Sequence, residues 1–223
     1  MKKKLVIFNL LAVFILIACS GANDDLASQD VMEMSFDWPI YENFESLSDG
    51  ATDVVRAEVI FYRVDELAWS LADDDYWPNG DRYQRDIYTI HEIRILEVFQ
   101  GNLKVGDVIE IGQLGGETAE LKVINLDKVF FNIGDDVVLF LLRYDENFPA
   151  GILNPFQGAY HFSTTIETSD ESVLELELEN VFEDSSFDLE ITLEDMIELA
   201  EINDIELVSD ELYEILEQIA DEY

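Results

Sequence analysis

From residue 50 onward the apolar positions fall into a series of short runs with strand character. Val54–Val64 (VVRAEVIFYRV) is rich in β-branched and aromatic side chains and predicts a first strand. Ile87–Phe99 (IYTIHEIRILEVF) predicts a long second one, whose apolar phase shifts between Ile95 and Leu96 as a β-bulge would cause. Gln100-Gly101-Asn102 and Val105-Gly106-Asp107 read as turns, and Val108–Leu114 reads as a third strand closed by Gly115-Gly116. Leu121–Leu126 is a candidate fourth. Gly134-Asp135-Asp136 then leads into the apolar run Val137–Leu142, followed by Ile152–Phe162 and the alternating Val173–Leu178 (VLELEL). Before these strands, Glu42–Asp49 predicts a short helix or turn ending at Gly50. After them the period changes. Leu193–Ala200 and Asp210–Ala220 carry apolar residues at helical spacing (Leu212, Ile215, Ile219), with Thr192 and Ser209 as caps and Asp195 in a first turn. The pattern predicts a mainly β fold: an OB-like β-barrel or sandwich of about five to seven strands, with short acidic C-terminal helices.

The amino terminus follows a different pattern. Lys2, Lys3 and Lys4 precede an apolar run from Leu5 to Ile17 broken only by Asn9. A basic start and an apolar stretch of that size form a secretory signal peptide, and the stretch falls short of the roughly 20 residues that cross a bilayer. It closes with Leu16-Ile17-Ala18-Cys19. This resembles the lipobox of bacterial lipoproteins. The resemblance implies that residues 1–18 are removed and that the Cys19 thiol carries diacylglycerol, so that two acyl chains anchor the protein stably outside the cytoplasmic membrane. Cys19 is the single cysteine, so it has no disulfide partner. Residues 19–35, small and polar at first, are expected to be a lipidated tether. Residues 36–180 are expected to form the β-domain, and 181–223 an acidic, helix-rich segment packed on it.

Three stretches of the middle carry a second resemblance. They are Tyr88-Thr89 leading to Ile93–Gly101, Val105–Ile111 with Gly115-Gly116, and Phe131–Leu141, in which Phe131-Asn132-Ile133-Gly134-Asp135 precedes an apolar strand. Together they resemble a recurrent, poorly characterised bacterial extracellular domain, similar in layout to the OB-like barrel of netrin and tissue-inhibitor-of-metalloproteinase modules. Gln100 and Asp135 stand where that pattern has lysine and glutamate. The resemblance implies a fold over residues 50–162, not an activity. Tissue inhibitors chelate zinc through a free N-terminal cysteine, whereas Cys19 would bear lipid.

Charge narrows the classes of partner. The chain has 12 Lys+Arg against 50 Asp+Glu, a net charge of −38. Loss of residues 1–18 removes three of the twelve cations and no acid, which takes the charge to −41. No lysine or arginine follows Arg143. Nucleic acid is excluded as a partner, because binding it requires cations to neutralise phosphates. Anionic headgroups would also repel the domain from the membrane surface. Adaptation to a salty or alkaline habitat accounts for the acidity first, with weak Ca²⁺ binding or a basic partner as alternatives. At 48% hydrophobic and 12% aromatic residues, the composition is that of a folded domain.

Local catalytic signatures do not emerge. His91-Glu92 has no second histidine four residues on, and His161 lies in a strand, so both read as structural histidines. The richest segment is Asp65–Asp86, between the first two strands. Trp69, Tyr76, Trp77, Arg82 and Tyr83 form a candidate binding loop of the kind that OB folds use on their ligand face. The same aromatics would equally pin the loop onto the domain. Asp73, Asp75, Asn79 and Asp81 would be a third, metal-binding reading, without the spacing of an EF-hand. The expected function is a membrane-anchored, extracytoplasmic, non-catalytic interaction module with an envelope protein or glycan as partner. The alternative is a hydrolase acting on envelope polymers through a carboxylate pair that no local motif reveals.

Overall fold

A computed structural model of the chain describes residues 30–70, 83–144, 148–169, 171–182, 189–208 and 212. Cys19, the loop residues Tyr76, Trp77 and Arg82, the acidic set Asp73, Asp75, Asn79 and Asp81, and the expected helix 210–220 apart from Leu212 lie outside the described residues.

Residues Val31–Tyr223 make one compact unit, and it is mainly β. The strands are β1 (Asp30–Met34), β2 (Asp53–Ser70), β3 (Tyr83–Gln100), β4 (Val108–Leu114), β5 (Gly116–Glu117), β6 (Leu121–Asn125), β7 (Asp136–Leu142), β8 (Gly151–Ile152), β9 (Ala159–Ser169) and β10 (Glu171–Asn180). Two helices, α1 (Phe44–Gly50) and α2 (Leu193–Ile202), complete the described elements. The larger sheet runs β10-β9-β7-β2-β3-β4 with β8 on β7, and the smaller runs β1-β6-β5. No continuous ladder closes the larger sheet on itself among the described residues. Its β4 edge instead meets Ala150, the residue just before β8, through an isolated parallel bridge from Ile111. There the Gly112 N–H donates to the Ala150 carbonyl at 2.8 Å, and the Ala150 N–H to that of Glu110 at 2.9 Å. β1 starts inside the stretch that the sequence suggested as tether.

Both strands of the β2–β3 hairpin are longer than their apolar cores suggested, because backbone pairing continues outward to Ser70 and Tyr83. The bulge anticipated near Ile95 is present. Arg56 pairs with Glu97 and Ala57 with Ile95, which leaves Leu96 without a partner. This extra residue turns the strand so that Ile93 and Ile95 face one core while Phe99 faces another.

The central strands are apolar without alternation because both of their faces are covered. On one side Val54, Phe99, Phe140 and Tyr160 pack with Leu47 of α1 and with Met196, Ile197 and Ala200 of α2. On the other, Val55, Val59, Ile93, Ile95, Ile111, Leu139 and Leu141 form the inner core. Helix α2 starts where the sequence suggested. Thr192 Oγ1 accepts from the Asp195 N–H at 3.2 Å, and Asp195 Oδ2 accepts from the Thr192 N–H at 2.7 Å, a reciprocal capping box. Its buried Leu193, Met196, Ile197 and Ala200 keep the i, i+3, i+4, i+7 spacing.

After β3 the chain turns at Gly101, whose φ of +103° is accessible chiefly to glycine. A Cβ there would lie 2.2 Å from Asp53 Oδ1. Asp53 is fully buried; its Oδ2 accepts from Arg143 Nε at 2.5 Å and its Oδ1 from the Asn102 N–H at 3.2 Å. One carboxylate thus ties the turn to the end of β7.

Candidate functional site

The described residues enclose a cleft of about 780 Å³ along the outer face of β3 and β4. β3 contributes Tyr88 and β4 contributes Gly112, Gln113 and Leu114. The segment after β1 supplies Phe36 and Trp38, and the β7–β8 connection supplies Tyr144 and Phe148. Gly112 allows this connection to come close, since a Cβ on it would meet Pro149 Cβ at 3.2 Å.

The rings form two edge-to-face groups. Phe36 and Trp38 have centroids 6.0 Å apart. Phe148 lies 5.6 Å from Tyr88 and 5.8 Å from Tyr144, nearly perpendicular to each. Such geometry sets the positive edge of one ring against the negative face of the next. A polar relay anchors the first group. Asn125 Nδ2 donates to the Leu114 carbonyl at 3.1 Å, and Asn125 Oδ1 accepts from the Asp127 N–H at 3.1 Å. Asp127 Oδ2 then accepts from the Phe36 N–H at 2.6 Å and from Trp38 Nε1 at 3.2 Å. The Asp127 side chain therefore holds a ring pair that lies about 90 residues away in sequence against the β6–β7 connection. Gln113 is engaged at both ends by the Val129 backbone. Burial first, then the charge of Asp86 and the neighbouring Tyr144, push the Tyr88 hydroxyl up to about 12.

No protein-family model, curated protein or solved structure matches this chain.

A second group of polar residues lies on the opposite face of β3. Lys128 Nζ donates to Thr89 Oγ1 at 2.6 Å, and Thr89 Oγ1 donates to the Gly115 carbonyl at 2.7 Å. Burial pulls the Lys128 ammonium below its ordinary value. His91, two residues along β3, is buried between the rings of Tyr62 and Phe131, and its Nδ1 has no hydrogen-bond partner. A lysine beside a hydroxyl is a nucleophile-and-base pairing in some hydrolases. Thr89 is 5% exposed, however, and its hydroxyl is committed to Gly115, so the group acts as core structure.

Of the loop residues singled out in the sequence, Trp69 and Tyr83 fall at the outer end of the β2–β3 hairpin, where Trp69 pairs with Gln84 and Tyr83 with Ser70. The cleft reaches this outer end of the hairpin at Ala68, the residue before Trp69. Phe36, Trp38, Tyr88, Asp127, Tyr144 and Phe148 did not emerge as a site from the sequence. Aromatic density around 36–41 and 144–148 was the available signal, but nothing local linked those two stretches. Among the described residues no group of acids and histidines is arranged to hold a metal ion, and no helix is long and apolar enough to cross a membrane.

Proposed function

We propose that this chain is a lipid-anchored extracytoplasmic lipoprotein whose OB-like domain is a non-catalytic binding module at the cell envelope, with the aromatic cleft as its ligand face. The anchor reading rests on the lipobox-like Leu16–Cys19 and the signal-peptide pattern before it. The OB-like reading draws support from the pairings of β2 with β3, β3 with β4, β8 with β7, and β7 with β2, and from the parallel bridge between β4 and Ala150 just before β8. In such folds the ligand face lies on the second and third strands and on the loops joining strands one to two and four to five. Tyr88, Gln113, Leu114, Tyr144 and Phe148 occupy the equivalent strands and the second of those loops.

The observation that carries the functional reading is the cleft itself: five aromatic rings in two edge-to-face groups along one cavity, the first group held by the Asp127 carboxylate. Its volume suits a drug-sized ligand or a few side chains of a partner. Asp127 is the sole carboxylate among the described lining residues, whereas hydrolysis by paired carboxylates uses two.

Crosslinking in intact cells, read by mass spectrometry, tests this function. The native chain is expected to yield a defined crosslinked species that a Tyr144→Ala/Phe148→Ala variant with the same anchor loses. An identical pattern from both would refute the cleft as the binding face. Cys19→Ala is expected to abolish lipid incorporation and release the protein from the membrane fraction; unchanged fractionation would refute the anchor.

A further inference from the structure

We infer that the cleft recognises an organic cation, an ammonium or quaternary ammonium group carried on an apolar stem. This rests on the binding reading above and names the class of ligand for the same site.

Two observations on the cleft and one on the whole chain converge on this chemistry. The first is the ring content. Phe36, Trp38, Tyr88, Tyr144 and Phe148 line one cavity, and the faces of aromatic rings attract cations through their quadrupoles, with tryptophan the strongest. The second is the charge at the wall. The Phe36 N–H and Trp38 Nε1 both donate to Asp127 Oδ2, so Oδ1 keeps its acceptor capacity among the described residues. Asp127 is 7% exposed, and a carboxylate in such a position gains strongly from a counter-ion. No lysine, arginine or histidine stands among the described lining residues, so an anionic ligand would meet no opposite charge. The third is the surrounding field. A net charge of −38 draws cations toward the domain and disfavours anions.

Size completes the description. A quaternary ammonium head fills only a fraction of about 780 Å³. The rest of the cleft is walled by Leu114, Leu142, Ile152 and Leu153, which suit an apolar stem.

The test titrates the full chain with benzyltrimethylammonium and with neopentylbenzene, its uncharged carbon isostere, by calorimetry and by the indole N–H signal of Trp38. The cation is expected to bind at least tenfold more tightly than the isostere, and more weakly as salt is raised. Tyr144→Ala is expected to weaken it roughly three- to tenfold. Tyr144 is 58% exposed, so its removal leaves the core untouched. Asp127→Asn keeps an acceptor oxygen for Trp38, and it is expected to cost more than tenfold for the cation and little for the isostere. Equal affinity for the two probes, with Tyr144→Ala weakening both, would overturn the cation assignment and leave the cleft as a binding face. Absence of binding by the cation, or binding that neither variant alters, would overturn it as well. The crosslinking experiment reports separately on the cleft as an interface.

Discussion

His91 gives the folded chain a pH response of its own. It is 3% exposed, its Nδ1 is unpartnered, and burial together with the nearby Lys128 charge lowers its pKa to about 4. The unfolded chain holds an ordinary histidine near 6.5, so between these values the unfolded state binds more protons than the folded one. The contribution of neutral His91 is therefore complete above pH 6.5 and is lost as pH falls toward 4. The loss is on the order of 3 kcal/mol. His91→Leu removes both the titration and an orphaned polar atom. We expect the variant to be more stable at pH 7 by about 1 kcal/mol, with the gap in urea midpoint widening by pH 4.5. Parallel pH profiles for the two proteins would rule this out. Gly101→Ala works in the other direction. Its positive φ and the collision with Asp53 predict a loss of about 2–4 kcal/mol, readable as a fall in urea midpoint.

At the scale of elements, packing outweighs capping in α2. The helix has acids in its first turn, which favour the macrodipole, and no basic residue in its last. Thr192→Ala removes the cap and is expected to cost about 1 kcal/mol. Met196 is fully buried among Phe99, Phe140 and Tyr160 of the same core cluster, and Met196→Ala is expected to cost about 2–5 kcal/mol. Thermal melts of the two variants give the order, and a larger effect from Thr192→Ala would mean that α2 is held by its own backbone rather than by the sheet. The elements were also the most legible level of the sequence. The start of α2 at Thr192, the β-bulge at Leu96 and the turn at Gly101 follow from residue chemistry within a few positions. The outward extension of the β2–β3 hairpin was not legible, since an exposed paired stretch such as Asp65–Ala68 has no buried face to impose an alternation.

For the whole molecule the governing quantity is charge. Arg56, Arg63, Arg94, Lys122 and Arg143 pair with carboxylates, yet fifty acids far outnumber the cations. Self-repulsion among like charges falls with ionic strength, because the screening length shrinks from about 30 Å at 0.01 M to about 3 Å at 1 M. The melting temperature is therefore expected to rise by several degrees between 10 mM and 0.5 M NaCl. A flat or falling melting temperature would show that the paired cations dominate the electrostatics instead.

Sequence alone determined the class of fold, the approximate places of most strands, one helix with its cap, and the acidic character; it is also the source of the lipid-anchor proposal at Cys19. These properties are written locally, in residue type and in a period of two or about 3.6. Only the tertiary structure decided that β7 lies beside β2, that Ile111 of β4 bridges to Ala150 just before β8, and that Phe36 and Trp38 are held at Asp127. Backbone hydrogen bonds at a strand edge accept almost any partner strand, so a local pattern specifies which face is buried but not which edges join. The cleft inherits that limit, since its rings come from residues 36 to 148 and meet only when distant edges have paired.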